Sequence, residues 1–344
     1  MIPYGRQEIT KEDIAEVEKV LRSDFLTQGP TVPRFEKSVA KYCGASHSIA
    51  VNSATSALHL ACISLGLGLG DWLWTSPNTF VASANCGRYC GAKVDFVDID
   101  PKTYNMSVDA LSEKLIQAKK LGKLPKIVVP VHFSGQPCDM PAIHNLSKQY
   151  GFKIIEDASH AIGGIYSGAK IGSCRFSDIT VFSFHPVKVI TTAEGGCAIT
   201  NDEHIMEKLK LLCSHGVTRD PKNMVIKNND KWVYDQISIG FNYRMSDMNA
   251  ALGLSQLLRI DSFIEKRNQI AKKYFEQLKN SDLKLPKQED YNFSALHLFP
   301  IQVKNRKKIY NLLHQNDIRV NVHYRPIHTQ PFWQEKGFKV GLFP

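Results

Sequence analysis

The sequence contains no C-x-x-C pair and no H-x-x-x-H pair. Its eight cysteines, Cys43, Cys62, Cys86, Cys90, Cys138, Cys174, Cys197 and Cys213, are scattered. Such spacing gives no structural zinc site, and it reads as buried free thiols in a reducing cytoplasm. No G-x-x-x-x-G-K-[ST] loop occurs, and no G-x-G-x-x-G follows a strand pattern, which excludes two common phosphate cradles. There is no apolar run of bilayer length; the weakly polar stretch 57–70 is interrupted by His59 and three glycines. The opening MIPYGRQEITKED has no apolar segment of the kind a secretory signal needs. The expectation is a soluble cytoplasmic protein without a membrane partner. Acidic residues are the minority, 33 against 43 Lys and Arg, for a formal net charge of +10. The densest basic run, KNRKK at 304–308, is short and lacks interleaved aromatics, so it reads as a solvated helix start and not as a nucleic-acid surface. The positive balance is compatible with an anionic small molecule such as a nucleotide diphosphate. Internal repeats and low-complexity tracts are absent too.

What is present is ample apolar material: 43% of the 344 residues are hydrophobic and 22% charged, enough for a full core. Strand-length apolar runs recur: HSIAVNS (47–53), WLWTS (72–76), KVDFVDI (93–99), KIVVPVHF (126–133), KIIEDA (153–158), DITVFSF (178–184) and GGCAIT (195–200). They are rich in Val and Ile, and several are apolar throughout, as in strands buried on both faces of a mostly parallel sheet. Helical patterns at 54–65, 82–89, 108–119, 141–150 and 203–212 alternate with them, which argues an α/β fold. Ser246 is a good N-cap, and the pattern after it predicts one helix running to about residue 279. HLFPIQV (297–303), a helical KKIYNLLHQ (307–315) and IRVNVHY (318–324) then suggest a small α+β domain. The predicted division is a large domain at 1–245 with an N-terminal arm, and a connecting helix plus small domain at 246–344. The final EKGFKVGLFP carries no closing element, so the small domain is expected to be incomplete.

Three features in chain order carry chemistry. In VNSATSALHL a strand ends at Asn52–Ser53 and a helix begins through Ala54 and Thr55, leaving backbone N–H groups free for an anion or simply capped by Ser53. In KIIEDASHA a strand delivers Glu156 and Asp157 at its carboxyl end, where α/β sheets place ligands. A carboxylate there caps the next helix or meets a cation, such as a protonated ring nitrogen of pyridoxal phosphate. In SFHPVKVITTAEGG, Lys188 supplies the amine such a cofactor bonds, and Ser183 lies at the strand end before it. A lone Lys after a strand is ordinarily solvated; the cup, the carboxylate and the amine together point to this cofactor.

The chain resembles the DegT/DnrJ/EryC/StrS family of sugar aminotransferases. The resemblance rests on DFLTQGP (24–30), NSATSALHL (52–60), SPNTFVASAN (76–85), FVDIDPKTYN (96–105), PVHFSGQPCDM (130–140), EDASHAIG (156–163), SFHPVKVITTAEGG (183–196), LCSHG (212–216) and GFNYRMSDMNAALGLSQL (240–257), all in order. It implies a fold type I pyridoxal-phosphate transferase whose large domain has a mostly parallel seven-stranded sheet. It implies amino transfer from L-glutamate to a nucleotide-linked 4-keto-6-deoxy sugar. By position it makes Lys188 the catalytic amine and Asp157 the partner of the ring nitrogen. Ala54, Thr55 and Ser183 would hold the phosphate, Phe80 would stack on the ring, and His160 would orient the ring hydroxyl region or Asp157. Asn242 would reach the cofactor phosphate of a neighbouring subunit, so a homodimer with shared sites is implied. Tyr4, Phe25, Leu26, Thr27, His323, Tyr324 and Arg325 would contact the nucleotide sugar, while His185 reads as structural. WTSPNTFVASANC, HGVTRD with the following WVYDQ, HLFPI and NVHYRPIHTQPFW point to the branch that serves pseudaminic acid biosynthesis. Rival readings are a sister transaminase on another nucleotide keto-sugar and a non-catalytic truncated relic. The family's dehydratases carry His where this chain has Lys188, which argues against them. One departure is Cys213, where many relatives have Arg.

Overall fold

A computed structural model describes residues 1–225, 230 and 232–343. All seven apolar runs become strands of one sheet: β1 (His47–Val51), β2 (Trp72–Thr75), β3 (Lys93–Phe96), β4 (Ile127–Val129), β5 (Lys153–Asp157), β6 (Ile179–Ser183) and β7 (Gly196–Thr200). Their order is β1-β7-β6-β5-β4-β2-β3. Strands β3, β2, β4, β5 and β6 pair in parallel, while β7 runs antiparallel to both β6 and β1. Strands β6 and β7 are buried along their whole length, which is why ITVFS and GCAIT show no alternation of apolar and polar residues.

Helices cover both faces. Helices α1 (Lys11–Leu21) and α2 (Thr31–Cys43) precede the sheet. On one face α3 (Ala54–Ser64), α4 (Ala82–Tyr89) and α7 (Glu203–Cys213) pack around Leu58, Leu60, Leu73, Ile155 and Val181. On the other face, α5 (Val108–Lys120) and α6 (Met140–Tyr150) cover Trp74, Val128 and Ile154, while α2 packs Phe35 and Val39 near Phe182 and Ile199. The helices expected within 54–212 appear within two residues of their expected ends. All eight cysteines are free and seven are buried. No helix among the described residues is long and apolar enough to cross a membrane.

Two expectations are corrected. The single helix after Ser246 is two: α8 (Asp247–Leu257) and α9 (Ile260–Leu278). Ser246 does cap α8, its hydroxyl accepting from Asn249 N at 3.2 Å. The chain leaves helical geometry at Arg259 (φ −109°, ψ 3°), whose guanidinium is drawn to the buried Asp13 carboxylate at 2.6 Å. Asp13 also accepts from Ser255 Oγ at 2.6 Å and Gln256 Nε2 at 2.8 Å, so a cluster of buried polar bonds holds the junction where neither proline nor glycine occurs. The N-terminal arm contains α1 and α2; α1 opens with a Thr10–Asp13 capping box. Finally, 297–303 and 318–324 form no continuous strands. They contribute the single bridges Lys284↔Gln302 and Ile2↔Ile318, whereas the helix between them is present as α10 (Arg306–Gln315). Trp333, Phe338 and Phe343 pack edge-on against Phe96, with ring centroids 5.4, 5.0 and 6.0 Å away.

Candidate active site

Strand alternation sends Asp157 and Ser183 to the face covered by α3 and α4, in step with Ile155 and Val181. Glu156 points to the other face. There it accepts from His132 Nε2 at 2.7 Å, from Thr180 Oγ1 at 3.0 Å and from the Ser177 hydroxyl. His132 Nδ1 accepts from Cys138 N at 3.1 Å, which assigns the ring proton to Nε2. Burial works against a charge on Glu156, but His132 and the two hydroxyls outweigh it and hold its carboxyl below the usual range.

Asp157 is 5% exposed. One carboxylate oxygen accepts from Ser159 Oγ at 2.6 Å and Ser159 N at 3.2 Å; the other accepts from Ser83 Oγ at 2.6 Å. No cation within the chain neutralises it at bonding distance among the described residues. Lys188 lies five residues beyond β6 on a loop fixed by Phe184 N to Gly195 O (2.9 Å) and Thr192 N to Phe184 O (3.0 Å). Burial pulls its amine down to about 8, and the Asp157 charge works in the opposite direction. Such an amine gives up its proton more readily than a solvated lysine, which holds it to about 10.5.

The anion cup is built from three elements. Ser53 caps α3, its hydroxyl accepting from Ser56 N at 3.1 Å. The N–H groups of Ala54 and Thr55 make no hydrogen bond among the described residues. Gly196, paired with Ser183 across β6 and β7, allows the close approach: a Cβ there would lie 2.4 Å from Ala54 N and 2.6 Å from Ala54 Cα. Free N–H groups, a helix N-terminus and the Ser183 hydroxyl fit a phosphate.

A wall of rings stands over this floor. His160 accepts from Ser134 N at 3.3 Å on Nδ1 and meets Tyr324 Oη at 3.3 Å through Nε2. Its ring centroid is 4.5 Å from that of His297. Tyr4 Oη contacts His323 Nε2 at 2.5 Å, and their rings stack at 5.4 Å. Burial, aided by the Lys188 charge, keeps His160 and His297 neutral and lowers His323 to about 4. Burial raises Tyr4 to about 12 and Tyr324 further. The Nδ1 atoms of His297 and His323 are buried without a partner among the described residues. Arg267 of α9 closes the back of the wall, donating to the carbonyls of Leu296 (3.3 Å) and His297 (3.1 Å).

The other expected residues have contacts of their own. His160 makes no hydrogen bond to Asp157. Phe80 is exposed, its ring tilted 6.4 Å from Tyr324. Arg325 donates to Thr329 O at 2.8 Å and faces solvent. Phe25, Leu26 and Thr27 are exposed on a turn pinned to α8 through Asp247 N to Leu26 O at 3.0 Å. Asn242 is exposed on a segment bridged to Ser214, next to the α3 entry, where Asn52 N bonds Tyr243 O at 2.8 Å. The sequence reading missed Ser83, Thr79, Ser159, Arg267 and the role of His297. Only Ser159 had a local signal, a serine two residues after a strand-end Asp.

A strand-end carboxylate, a helix-capped anion cup and a perturbed lysine at one end of a mostly parallel sheet fit a pyridoxal-phosphate-dependent enzyme. The chain belongs to the DegT/DnrJ/EryC1/StrS aminotransferase family, which it matches over residues 7–343. It is 38% identical to the UDP-4-amino-4,6-dideoxy-N-acetyl-beta-L-altrosamine transaminase of Campylobacter jejuni over 97% of this chain and 86% of that protein. Among solved structures, Spr1654 of Streptococcus pneumoniae in its PMP form superposes with a TM-score of 0.90 at 29% identity, covering 100% of this chain and 90% of the other. Spr1654 has also been solved in a PLP form. PseC of Helicobacter pylori, an aminotransferase involved in the biosynthesis of pseudoaminic acid, gives a TM-score of 0.87 at 33% identity over 97% and 87% of the two chains.

Proposed function

We propose that this aminotransferase moves an amino group from L-glutamate to the 4-keto carbon of UDP-2-acetamido-2,6-dideoxy-β-L-arabino-hex-4-ulose. The products would be 2-oxoglutarate and UDP-4-amino-4,6-dideoxy-N-acetyl-β-L-altrosamine. The observation that carries the reading is the placement of a desolvated Lys188 amine and the Asp157 carboxylate beneath a wall of neutral His and Tyr side chains. The named activity of the Campylobacter relative supports the choice of sugar.

Bound pyridoxal phosphate supplies the electron sink that lets a carbon–hydrogen bond next to nitrogen be broken. The chain's residues do the rest. Asp157 would hold positive charge at the ring nitrogen, and Ala54, Thr55 and Ser183 would hold the phosphate. Lys188 Nζ would hold the cofactor through its carbonyl carbon and, once released by the incoming amine of the donor, would be the base that takes the α-carbon proton and returns one to sugar C4. Phe80 would cover a ring face. Tyr4, His323 and Tyr324 meet the nucleotide sugar as neutral hydrogen-bonding groups, with Phe25, Leu26, Thr27 and Arg325 at the rim and His160 behind them. The protein acts as a homodimer in the cytoplasm, Asn242 reaching the neighbouring subunit's phosphate; its exposure supports that role.

The test is purified protein with glutamate and a panel of UDP-, dTDP- and GDP-linked 4-keto-sugars, read by product mass. The named UDP sugar should react best. A Lys188→Ala variant that still releases 2-oxoglutarate at near the unmodified rate would overturn the assignment.

A further inference from the structure

We infer that Ser83, itself oriented by Thr79, is a positioning residue that fixes the Asp157 carboxylate beneath the cofactor ring; the inference rests on the functional reading above. Ser83 lies in the first turn of α4 and is fully buried, and Thr79 is 3% exposed. The Ser83–Asp157 distance of 2.6 Å is that of a hydroxyl donating to an ionised carboxylate. Ser83 has one proton, and the Phe80 carbonyl at 3.3 Å is the weaker of its two acceptors. Thr79 Oγ1 stands 2.9 Å from Ser83 Oγ. With the Ser83 proton committed to Asp157, Thr79 must donate to Ser83, so the relay runs Thr79 to Ser83 to Asp157.

The ordinary use of such hydroxyls at a helix start is capping, but α4 has no side-chain cap bond. The surroundings are apolar: Ala82, Ala84, Cys86 and Leu58 are all buried in the same cluster. Two buried hydroxyls among apolar neighbours cost stability unless they are bonded, and here their bonds lead to one carboxylate oxygen. Ser159 holds the other oxygen, but it is two residues away and moves with the same loop. Ser83 is 74 residues away on a separate helix, so it sets the carboxylate's direction relative to the sheet. With one oxygen held from each side, the carboxylate is fixed against rotation and would stay aimed at a ring nitrogen bound there.

The test uses holoenzyme and four variants: Ser83→Ala, Ser83→Thr, Thr79→Val and Asp157→Asn, with Ser83→Ala also placed in the Asp157→Asn background. The glutamate half-reaction is followed by visible absorbance in single turnovers, alongside the pH dependence of the bound cofactor's visible band. Ser83→Ala should slow the half-reaction about 10–100-fold with the KM for glutamate unchanged, and should shift the band's pH profile. Ser83→Thr should restore most of the rate, and Thr79→Val should fall between. In the Asp157→Asn background, Ser83→Ala should add almost nothing, because its target is gone. Equal slowing in both backgrounds, or an unmodified rate and band in Ser83→Ala, would overturn the inference alone. A wild-type protein that takes up no pyridoxal phosphate would overturn the functional reading and this inference with it.

Discussion

Glu156 and Asp157 are adjacent in β5, yet their carboxylates lie on opposite faces of the sheet and have different partners. Glu156 is bonded by His132, Thr180 and Ser177, whereas Asp157 is bonded by serine donors and has no cation at bonding distance among the described residues. The pair therefore separates a structural charge from a chemical one. Asp157→Asn should slow the glutamate half-reaction by at least about 100-fold while the protein stays folded. Glu156→Gln should leave the cofactor spectrum intact but lower stability by about 1–3 kcal/mol, since a charge-assisted bond to His132 is weakened. Denaturation midpoints and single-turnover rates, measured on both variants, distinguish the two roles.

The second expectation concerns pH. A free lysine amine loses its proton near 10.5, and burial brings Lys188 down to about 8. Below that value the amine is charged and cannot attack a carbonyl; above it the amine is neutral. The rate at which cofactor-free protein captures pyridoxal phosphate should therefore rise with pH through about 8 and then level off. Asp157 favours the charged amine, so Asp157→Asn should move this midpoint to lower pH. Stopped-flow absorbance from pH 6 to 10 checks it, and a midpoint near that of free lysine would contradict it.

All seven sheet strands were legible because short runs rich in Val and Ile recurred between helical patterns, and some of them, such as ITVFS and GCAIT, are buried along their whole length. What was not legible depended on distant partners. Periodicity continued through Arg259 and gave one long helix, because the buried Asp13 that bends it lies 246 residues away. Ser83 looked like any small residue in a helix, and only the packing of α4 against the sheet brings it to Asp157. Likewise 297–303 is apolar enough for a strand, but among the described residues it pairs only through the single bridge Lys284↔Gln302, and apolar content alone cannot supply a longer partner.

Gly196 is the close-approach point of the anion cup. Its missing side chain lets the α3 entry touch β7, and any Cβ would meet backbone atoms, which cannot swing aside. Gly196→Ala should push Ala54 and Thr55 outward and destabilise the fold by about 2 kcal/mol or more. Affinity for pyridoxal phosphate should fall at least about 10-fold, while affinity for phosphate-free pyridoxal should change far less. Titration of cofactor-free protein with the two compounds reads the difference.

Asp247 governs the rim from below. Its carboxylate accepts from Gly29 N (2.8 Å), Thr31 N (2.7 Å) and Val32 N (3.1 Å), and its own N–H holds Leu26 O. The turn bearing Phe25, Leu26 and Thr27 is thus set by a residue that faces the interior and is fully buried. Asp247→Ala leaves three backbone donors without their acceptor, a loss of about 3 kcal/mol in stability. If the turn contacts the nucleotide sugar, the KM for the keto-sugar should rise about 10-fold or more. The glutamate half-reaction, which needs only the floor of the site, should keep its rate within about 3-fold. Asp247→Asn retains one acceptor oxygen and should give a smaller rise. Steady-state kinetics with the sugar varied, set beside single turnovers with glutamate alone, separates a displaced rim from general unfolding: unfolding would depress both half-reactions together.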